Sequence, residues 1–164
     1  MRWPSVWHGI LITALAFWVG VMLYFSAMLA PTVFRTLPSA QAGDLMNRLF
    51  APYHVVGYAC GAAALIAAVL LARAGRAAQV RAGIIGLLLG LTLYAGLGIS
   101  PEARALRAEL RQAAPGTQDP ARQARFTQLH RRAVALNGVI VAGVLVALIW
   151  AVVTPPTLSD QRAR

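Results

Sequence analysis

The sequence predicts an all-α membrane protein, a four-transmembrane-helix bundle in which all 164 residues form one domain. Hydrophobic residues make up 59% of the chain and charged residues only 12%, whereas a soluble domain averages about 25% charged residues. So few charges cannot cover a water-soluble surface of this size. Four apolar stretches also approach or exceed the roughly 20 residues that a helix needs to cross a bilayer core about 30 Å thick.

These stretches define the four predicted spans. They are residues 9–30, 53–72, 82–99 and 133–153. None contains Asp, Glu or Arg, so no charge is carried into the lipid. Pro31 follows the first span, and a proline cannot extend a helix without losing a backbone hydrogen bond. We therefore expect the first helix to end there.

Two further helical elements are predicted in the connections. Residues 40–51 place apolar side chains on one face and polar ones on the other, which indicates an amphipathic helix at the membrane interface. Residues 100–132 predict a protruding helical hairpin. Pro101 starts its first helix, a Pro-Gly pair supplies the turn, and Asp119 caps the returning helix.

The basic residues flank the apolar spans. All 15 are Arg, and against five acids they give a formal net charge of +10. No helix-turn-helix, zinc-finger or RNA-binding motif accompanies them, so the pattern argues against nucleic acid and for the lipid bilayer as partner. The abundance of Arg and Ala favours a bacterial inner membrane. Arg is more frequent in the first and third connections, which favours a cytoplasmic location for them, although the short basic second connection argues for the opposite orientation.

Two glycine pairs at four-residue spacing lie inside predicted spans, Gly57 with Gly61 and Gly86 with Gly90. Missing side chains at this spacing let two helices approach closely. We expect these glycines to serve helix packing between spans two and three. A homodimer that forms through the same GxxxG faces is the alternative.

Few residues offer chemistry. No soluble-enzyme motif occurs, and no acid lies within a predicted span, which argues against an enzyme and against a pump built on an intramembrane carboxylate. His54 and His130 are predicted at one membrane face, and neutral imidazole suits haem iron or copper. The alternative is that both bind headgroups or water. Asn137 shares a helix face with His130, and an amide in lipid needs a hydrogen-bond partner.

Three segments, Met28–Leu37, Ala42–Phe50 and Phe126–Asn137, resemble the transmembrane protein 205-like family. That family shows a Pro-x-x-Phe-x-x-Leu stretch after span one, an amphipathic segment before span two, and a His that leads into span four. The resemblance implies a four-helix membrane fold of uncharacterised function. The chain is more loosely similar to copper-resistance protein D and to the haem-binding membrane oxidase of porphyrin synthesis, which implies His ligands at span ends.

Three functional hypotheses follow. The first is a non-enzymatic inner-membrane protein that binds, moves or confers tolerance to a small solute, lipid or metal. Its candidate ligand-binding residues lie at the predicted helix break after span one or are the few polar residues near the same membrane depth. They are Pro31, Phe34, Arg35, His130 and Asn137. The second is a redox protein that binds haem b or copper through His130, with His54 as a further metal ligand. The third is a scaffold subunit that docks a partner through its glycine faces and the 100–132 hairpin.

Overall fold

The computed structural model describes residues 3–112 and 119–155, and this part of the chain is helical throughout apart from short turns. Its four long helices are Trp3–Thr36, Ser39–Leu71, Arg76–Gln112 and Pro120–Val153. Each is long and apolar enough to cross a bilayer. The prediction of an all-α protein with four membrane helices is confirmed, and the chain is an integral multi-pass membrane protein.

The first long helix has three consecutive parts. Helix α1 (Trp3–Leu23) continues through a π-helix, Tyr24–Leu29, into α2 (Ala30–Thr36). The first long helix therefore continues through Pro31, and the prediction that it ends there is wrong. In a regular helix the proline ring would clash with the carbonyl of Ala27, four residues earlier. That carbonyl lies in the π-helix, whose different hydrogen-bond spacing changes the geometry at this point.

The predicted amphipathic helix of residues 40–51 is helical but is not separate from the second span. Both belong to α3 (Ser39–Leu71), which passes through Pro52 without a break. The proline leaves the carbonyl of Arg48 without its intrahelical donor, and Arg48 is exposed, so water or headgroups reach this position. The start of α3 packs against the end of the first long helix in a small apolar cluster. Its buried members are Phe25, Val33, Ala42 and Met46.

The connection between spans two and three is much shorter than predicted. A 3-10 turn, Ala72–Ala74, and Gly75 lead directly into α4 (Arg76–Leu93). Gly75 has a φ of 142°, a conformation that favours glycine. Most of the predicted connection is therefore helix, and Arg81 lies inside α4.

The third long helix repeats the construction of the first. Helix α4 continues through a second π-helix, Tyr94–Ile99, into α5 (Ser100–Gln112). After the predicted turn, which lies outside the described residues, α6 (Pro120–Val153) returns to the other side. The Asp119 carboxylate accepts the backbone N–H two residues further on at 2.9 Å, which confirms the predicted cap. Helices α5 and α6 pack together as the predicted hairpin.

Ion pairs support the hairpin and attach it to α3. They are Arg122 with Glu109, Arg125 with Glu102, and Arg111 with Asp44. All six side chains are between 43% and 54% exposed, so each pair contributes only about 0–1 kcal/mol. All the acids in these pairs lie at the hairpin end of the molecule.

The helices form a ring in which α1 and α4 each contact both α3 and α6. The largest fully buried side chains fill its centre. They are Trp18, Leu11, Leu15, Ile85, Ile140 and Val144. Large apolar side chains also point outwards: Phe17 is 64% exposed, Leu87 63% and Val146 61%. An apolar surface of this extent is unusual for a soluble monomer and is suited to contact with lipid tails.

Candidate functional site

Polar side chains from three of the long helices meet between α3, α6 and the first π-helix. The Tyr53 hydroxyl donates to Asn137 Oδ1 at 2.6 Å, and Asn137 Nδ2 donates to Ser26 Oγ at 3.0 Å. Asn137 lies about 24 Å before the end of α6 at Val153, from the rise of 1.5 Å per residue. In a hydrocarbon core about 30 Å thick, this chain of hydrogen bonds lies towards the hairpin end. Asn137 therefore has the partners that an amide in lipid requires.

A small cavity of about 20 Å³ adjoins this chain of hydrogen bonds. This volume holds one water molecule, which needs about 10–15 Å³. All four long helices contribute to its wall. Among the lining residues are Trp18, Met22, His54, Thr92, Asn137 and Ile140.

Trp18 provides an unused hydrogen-bond donor at the cavity. Its side chain is only 1% exposed, and its Nε1 has no acceptor among the residues that the structure describes. A Cβ built on Gly57, which also lines the cavity, would lie 3.5 Å from this nitrogen. The indole N–H thus lies at the cavity wall. A buried donor without a partner costs about 1–3 kcal/mol, which a molecule in the cavity would offset.

His54 is held in a defined orientation. Its Nδ1 lies 2.7 Å from the Phe50 carbonyl oxygen, so Nδ1 carries the proton and Nε2 is an acceptor. A Cβ built on Gly96, in the second π-helix, would overlap the Tyr58 hydroxyl and would stand 2.6 Å from His54 Cδ2. The close approach of these two side chains therefore requires glycine. The ring of Phe25 packs against Tyr53 with centroids 4.3 Å apart. His54 therefore faces the third long helix while its neighbour Tyr53 reaches Asn137.

The structure does not bring the two predicted metal ligands together. His130 is exposed, and its ring stacks on Phe126 with centroids 6.4 Å apart. It lies two turns, about 10 Å, from Asn137 along α6, and no hydrogen bond or ring contact between described residues joins it to His54. Within residues 3–112 and 119–155, no group of three or more His, Cys, Asp or Glu could hold a metal ion.

The other predicted ligand-binding residues lie outside the cavity wall. Pro31 is half-buried, Phe34 is 52% exposed and Arg35 is exposed. All three belong to α2, beyond the first π-helix. Pro31 itself therefore lies outside the site, and only the π-helix that precedes it reaches the site through Ser26. Of the five predicted residues, Asn137 alone lines the cavity.

The two glycine pairs have different surroundings. A Cβ on Gly61 would lie 2.8 Å from Leu89 and 2.9 Å from the Trp18 ring. A Cβ on Gly57 would lie 3.4 Å from Thr92 and 3.5 Å from Trp18 Nε1, so this pair lets α3 approach both α4 and α1. Gly86 has one neighbour, a leucine of α3 at 3.6 Å, and Gly90 has none within 4 Å. The first pair thus fits Trp18 into the core beside the cavity. The homodimer remains a prediction.

Sequence reasoning missed the π-helices, although a signal for them is present. Gly20, Leu23, Tyr24 and Pro31 recur at the same spacing as Gly90, Leu93, Tyr94 and Pro101. Each π-helix has six residues, begins at the Tyr and ends two residues before the Pro. π-Helical segments are rare and are often found at functional sites, so this recurrence would have indicated where to look.

The second and fourth helices also share a motif. Ala-Leu-Ile begins at Ala64 and again at Ala147, and Ala-Val follows at the same distance in both helices. These two alignments pair α1 with α4 and α3 with α6, the pairs that lie opposite each other in the ring. Three pairs of corresponding residues line the cavity: Met22 and Thr92, His54 and Asn137, and Gly57 and Ile140. The cavity thus lies between two halves of similar sequence, α1 with α3 and α4 with α6.

One family pattern matches the chain. It is described as Domain of unknown function (DUF4149) and covers residues 13–112. No curated protein and no solved structure matches. The chain therefore belongs to the DUF4149 family, in agreement with the expectation of an uncharacterised membrane family. The resemblance to the transmembrane protein 205-like family and the looser one to copper-resistance protein D remain predictions.

Proposed function

We propose that this member of the DUF4149 family is a non-enzymatic membrane protein that binds a small polar solute in the cavity among its four helices. The observation that carries the proposal is the Trp18 indole N–H, a buried donor without a described acceptor at the cavity wall. His54, which lines the same wall, carries an acceptor at Nε2. No charged side chain lines the cavity, so a neutral molecule with both a donor and an acceptor suits it better than an ion.

The two π-helices supply the means to enlarge the site. At about 20 Å³ the cavity accepts only a molecule the size of water. Ser26 in the first π-helix bonds to Asn137, and Ala95 in the second lines the cavity. Because π-helical hydrogen bonds span one more residue than α-helical ones, a change from π to α geometry rotates the following residues. Such a change would move two walls of the cavity.

We propose a bacterial inner membrane as the location, with the hairpin on the cytoplasmic side. The basis is the larger number of Arg residues in the first and third connections. A reporter fused after Arg164 tests the orientation. With the hairpin in the cytoplasm, both termini lie on the periplasmic side, so the fused alkaline phosphatase should be active. An inactive fusion would mean that the orientation is reversed.

The test of binding is thermal unfolding of the purified full chain with a panel of probes. The panel contains neutral amides and alcohols, alkali and transition-metal cations, and phospholipids. A solute present at about 100 times its Kd stabilises the folded protein by about 2.7 kcal/mol, which for a chain of this size corresponds to a rise in Tm of roughly 5–10 °C. We expect a neutral amide or alcohol to give such a rise. If no neutral amide or alcohol shifts the Tm, the proposal is wrong, whatever the phospholipids do.

Two tryptophan variants make this test specific. Trp18→Phe removes the indole N–H from the cavity and should abolish the shift. Trp150→Phe makes the same chemical change at the end of α6, away from the cavity, and should preserve it. An equal shift in both variants would mean that the solute binds elsewhere.

Haem or copper binding is a second candidate, and the geometry of His54 favours it. Metal-ligating histidines usually donate their other ring N–H to a carbonyl or carboxylate, as His54 does to Phe50. The test is an absorption spectrum with metal analysis on freshly purified protein. A Soret band or bound copper that is lost in His54→Ala and kept in His130→Ala would support a site at His54. A colourless, metal-free preparation would end this candidate.

A further inference from the structure

A second polar site lies at the opposite end of the helices, and we propose that it binds the phosphate group of an anionic phospholipid. Its centre is Arg81, in the second turn of α4. Although Arg81 is charged, it is only 7% exposed. This inference is independent of the cavity at Trp18, because the two sites share no residue.

The polar groups around Arg81 are incompletely bonded. Arg81 Nη1 donates to Thr154 Oγ1 at 3.4 Å, close to the limit for a hydrogen bond, and Nε has no acceptor among the described residues. His8 lies within electrostatic reach of Arg81, and its buried Nδ1 also has no described partner. Arg81 Nε is thus a buried donor without an acceptor, and the His8 ring on a separate helix contributes a second unpaired nitrogen nearby. An anion at this position would find its donor in Arg81.

Protein carboxylates do not supply that anion within the described part of the chain. Its four acids all lie at the hairpin end, and each is already paired with an arginine. They are Asp44, Glu102, Glu109 and Asp119. The remaining acid, Asp160, lies outside the described residues. A buried charge without a counter-charge is strongly unfavourable, so Arg81 requires an anion from outside these residues.

The depth of Arg81 points to a lipid as the source. Three of the four tryptophans, Trp3, Trp7 and Trp150, lie towards this end of the first and fourth long helices, and tryptophan is enriched at the level of the headgroups. The apolar part of the third helix begins directly after Arg81. The guanidinium therefore stands at the boundary between hydrocarbon and headgroups, where phospholipids present their phosphates.

Charge selects an anionic phospholipid over a zwitterionic one. Arg73 and Arg76 are exposed in the adjacent turn, and basic groups at the surface attract anionic lipids. A guanidinium also matches phosphate with two parallel hydrogen bonds, which an ammonium group cannot form. Arg81 would thus hold the phosphate while the exposed arginines draw the lipid to this face.

The experiment measures thermal unfolding of the full chain, purified and delipidated in a zwitterionic detergent. Phosphatidylglycerol, phosphatidylcholine and inorganic phosphate are titrated separately. We expect phosphatidylglycerol to raise the Tm by about 5 °C at saturation and phosphatidylcholine to raise it by less than a third as much. Inorganic phosphate should give no shift at millimolar concentration. An equal shift with phosphatidylcholine, or a shift of the same size with inorganic phosphate, would overturn the proposal.

Matched variants locate the effect. Arg81→Gln should remove most of the phosphatidylglycerol shift, whereas Arg132→Gln, which loses the same charge from an exposed position near the hairpin end, should keep it. Arg81→Lys retains the positive charge but lacks the planar guanidinium group, so it should give an intermediate shift. This variant tests the site if Arg81→Gln does not fold. Asp160→Asn and Trp18→Phe should both leave the shift unchanged. A wild-type shift in Arg81→Gln, or an equal loss in Arg132→Gln, would contradict a site at Arg81.

Discussion

Tyr53→Phe isolates the hydrogen bond that connects α3 to α6. The substitution removes one oxygen atom and keeps the ring, so the packing of Phe25 against this ring is preserved. Asn137 Oδ1 then loses the donor that stands 2.6 Å away. A buried acceptor left unpaired costs about 1–3 kcal/mol in proteins generally, while hydrogen bonds between membrane helices average about 0.6 and reach about 1.7 kcal/mol. We therefore expect the free energy of unfolding to fall by about 1 kcal/mol.

The assay is reversible denaturant unfolding in mixed micelles, arranged as a double-mutant cycle. Tyr53→Phe, Asn137→Leu and the double variant should give a coupling energy of about 1 kcal/mol. Tyr24→Phe is the matched control: Tyr24 is 56% exposed, so its hydroxyl should contribute less than about 0.5 kcal/mol. If Tyr53→Phe destabilises no more than Tyr24→Phe, or the cycle shows no coupling, the hydrogen bond does not stabilise the fold and the reasoning is refuted.

Three further predictions concern individual contacts and are checked by the same unfolding measurement. Gly96→Ala should cost about 1–3 kcal/mol, because the new methyl group would overlap the Tyr58 hydroxyl and stand 2.6 Å from His54 Cδ2. Gly90→Ala, with open space around it, should cost less than about 0.5 kcal/mol, and equal effects would contradict the close packing at Gly96. Asp119→Ala should cost about 1 kcal/mol through loss of the helix cap, and no loss would mean that the cap is dispensable. Arg125→Gln should cost at most about 1 kcal/mol because its ion pair is exposed; a larger loss would show that the hairpin depends on this pair.

The helices themselves are predictable because lipid imposes a simple rule. A span needs a continuous apolar run, and four runs are visible in the sequence. The rules for helix ends are less reliable in this protein. Pro31 and Pro52 both predict a boundary, yet the helix continues through each of them. The first is accommodated by a π-helix, which only the recurrence of the same pattern before Pro101 indicates. The second lies next to an exposed turn, and that exposure depends on how the helices pack.

The candidate site is only partly visible in the sequence. Asn137 attracts attention because it is an amide inside an apolar span, and the structure shows that it is indeed hydrogen-bonded. Its partners Tyr53 and Ser26 are set by the rotation and relative height of the helices, which hydropathy does not encode. For the same reason the sequence predicts His54 and His130 at one membrane face, whereas the structure places His130 in the exposed start of α6. The unpaired donor of Trp18 depends on packing alone.

A molecule held in the cavity would accept a hydrogen bond from the buried indole N–H of Trp18. Nuclear magnetic resonance on full-length protein labelled with ¹⁵N-tryptophan tests it directly, with Trp18→Phe to assign the signal. We predict a downfield indole proton that shows a cross-peak to water or to the bound solute. An upfield indole proton without any such cross-peak would show that the cavity is dry and empty and that Trp18 bonds to no solute there.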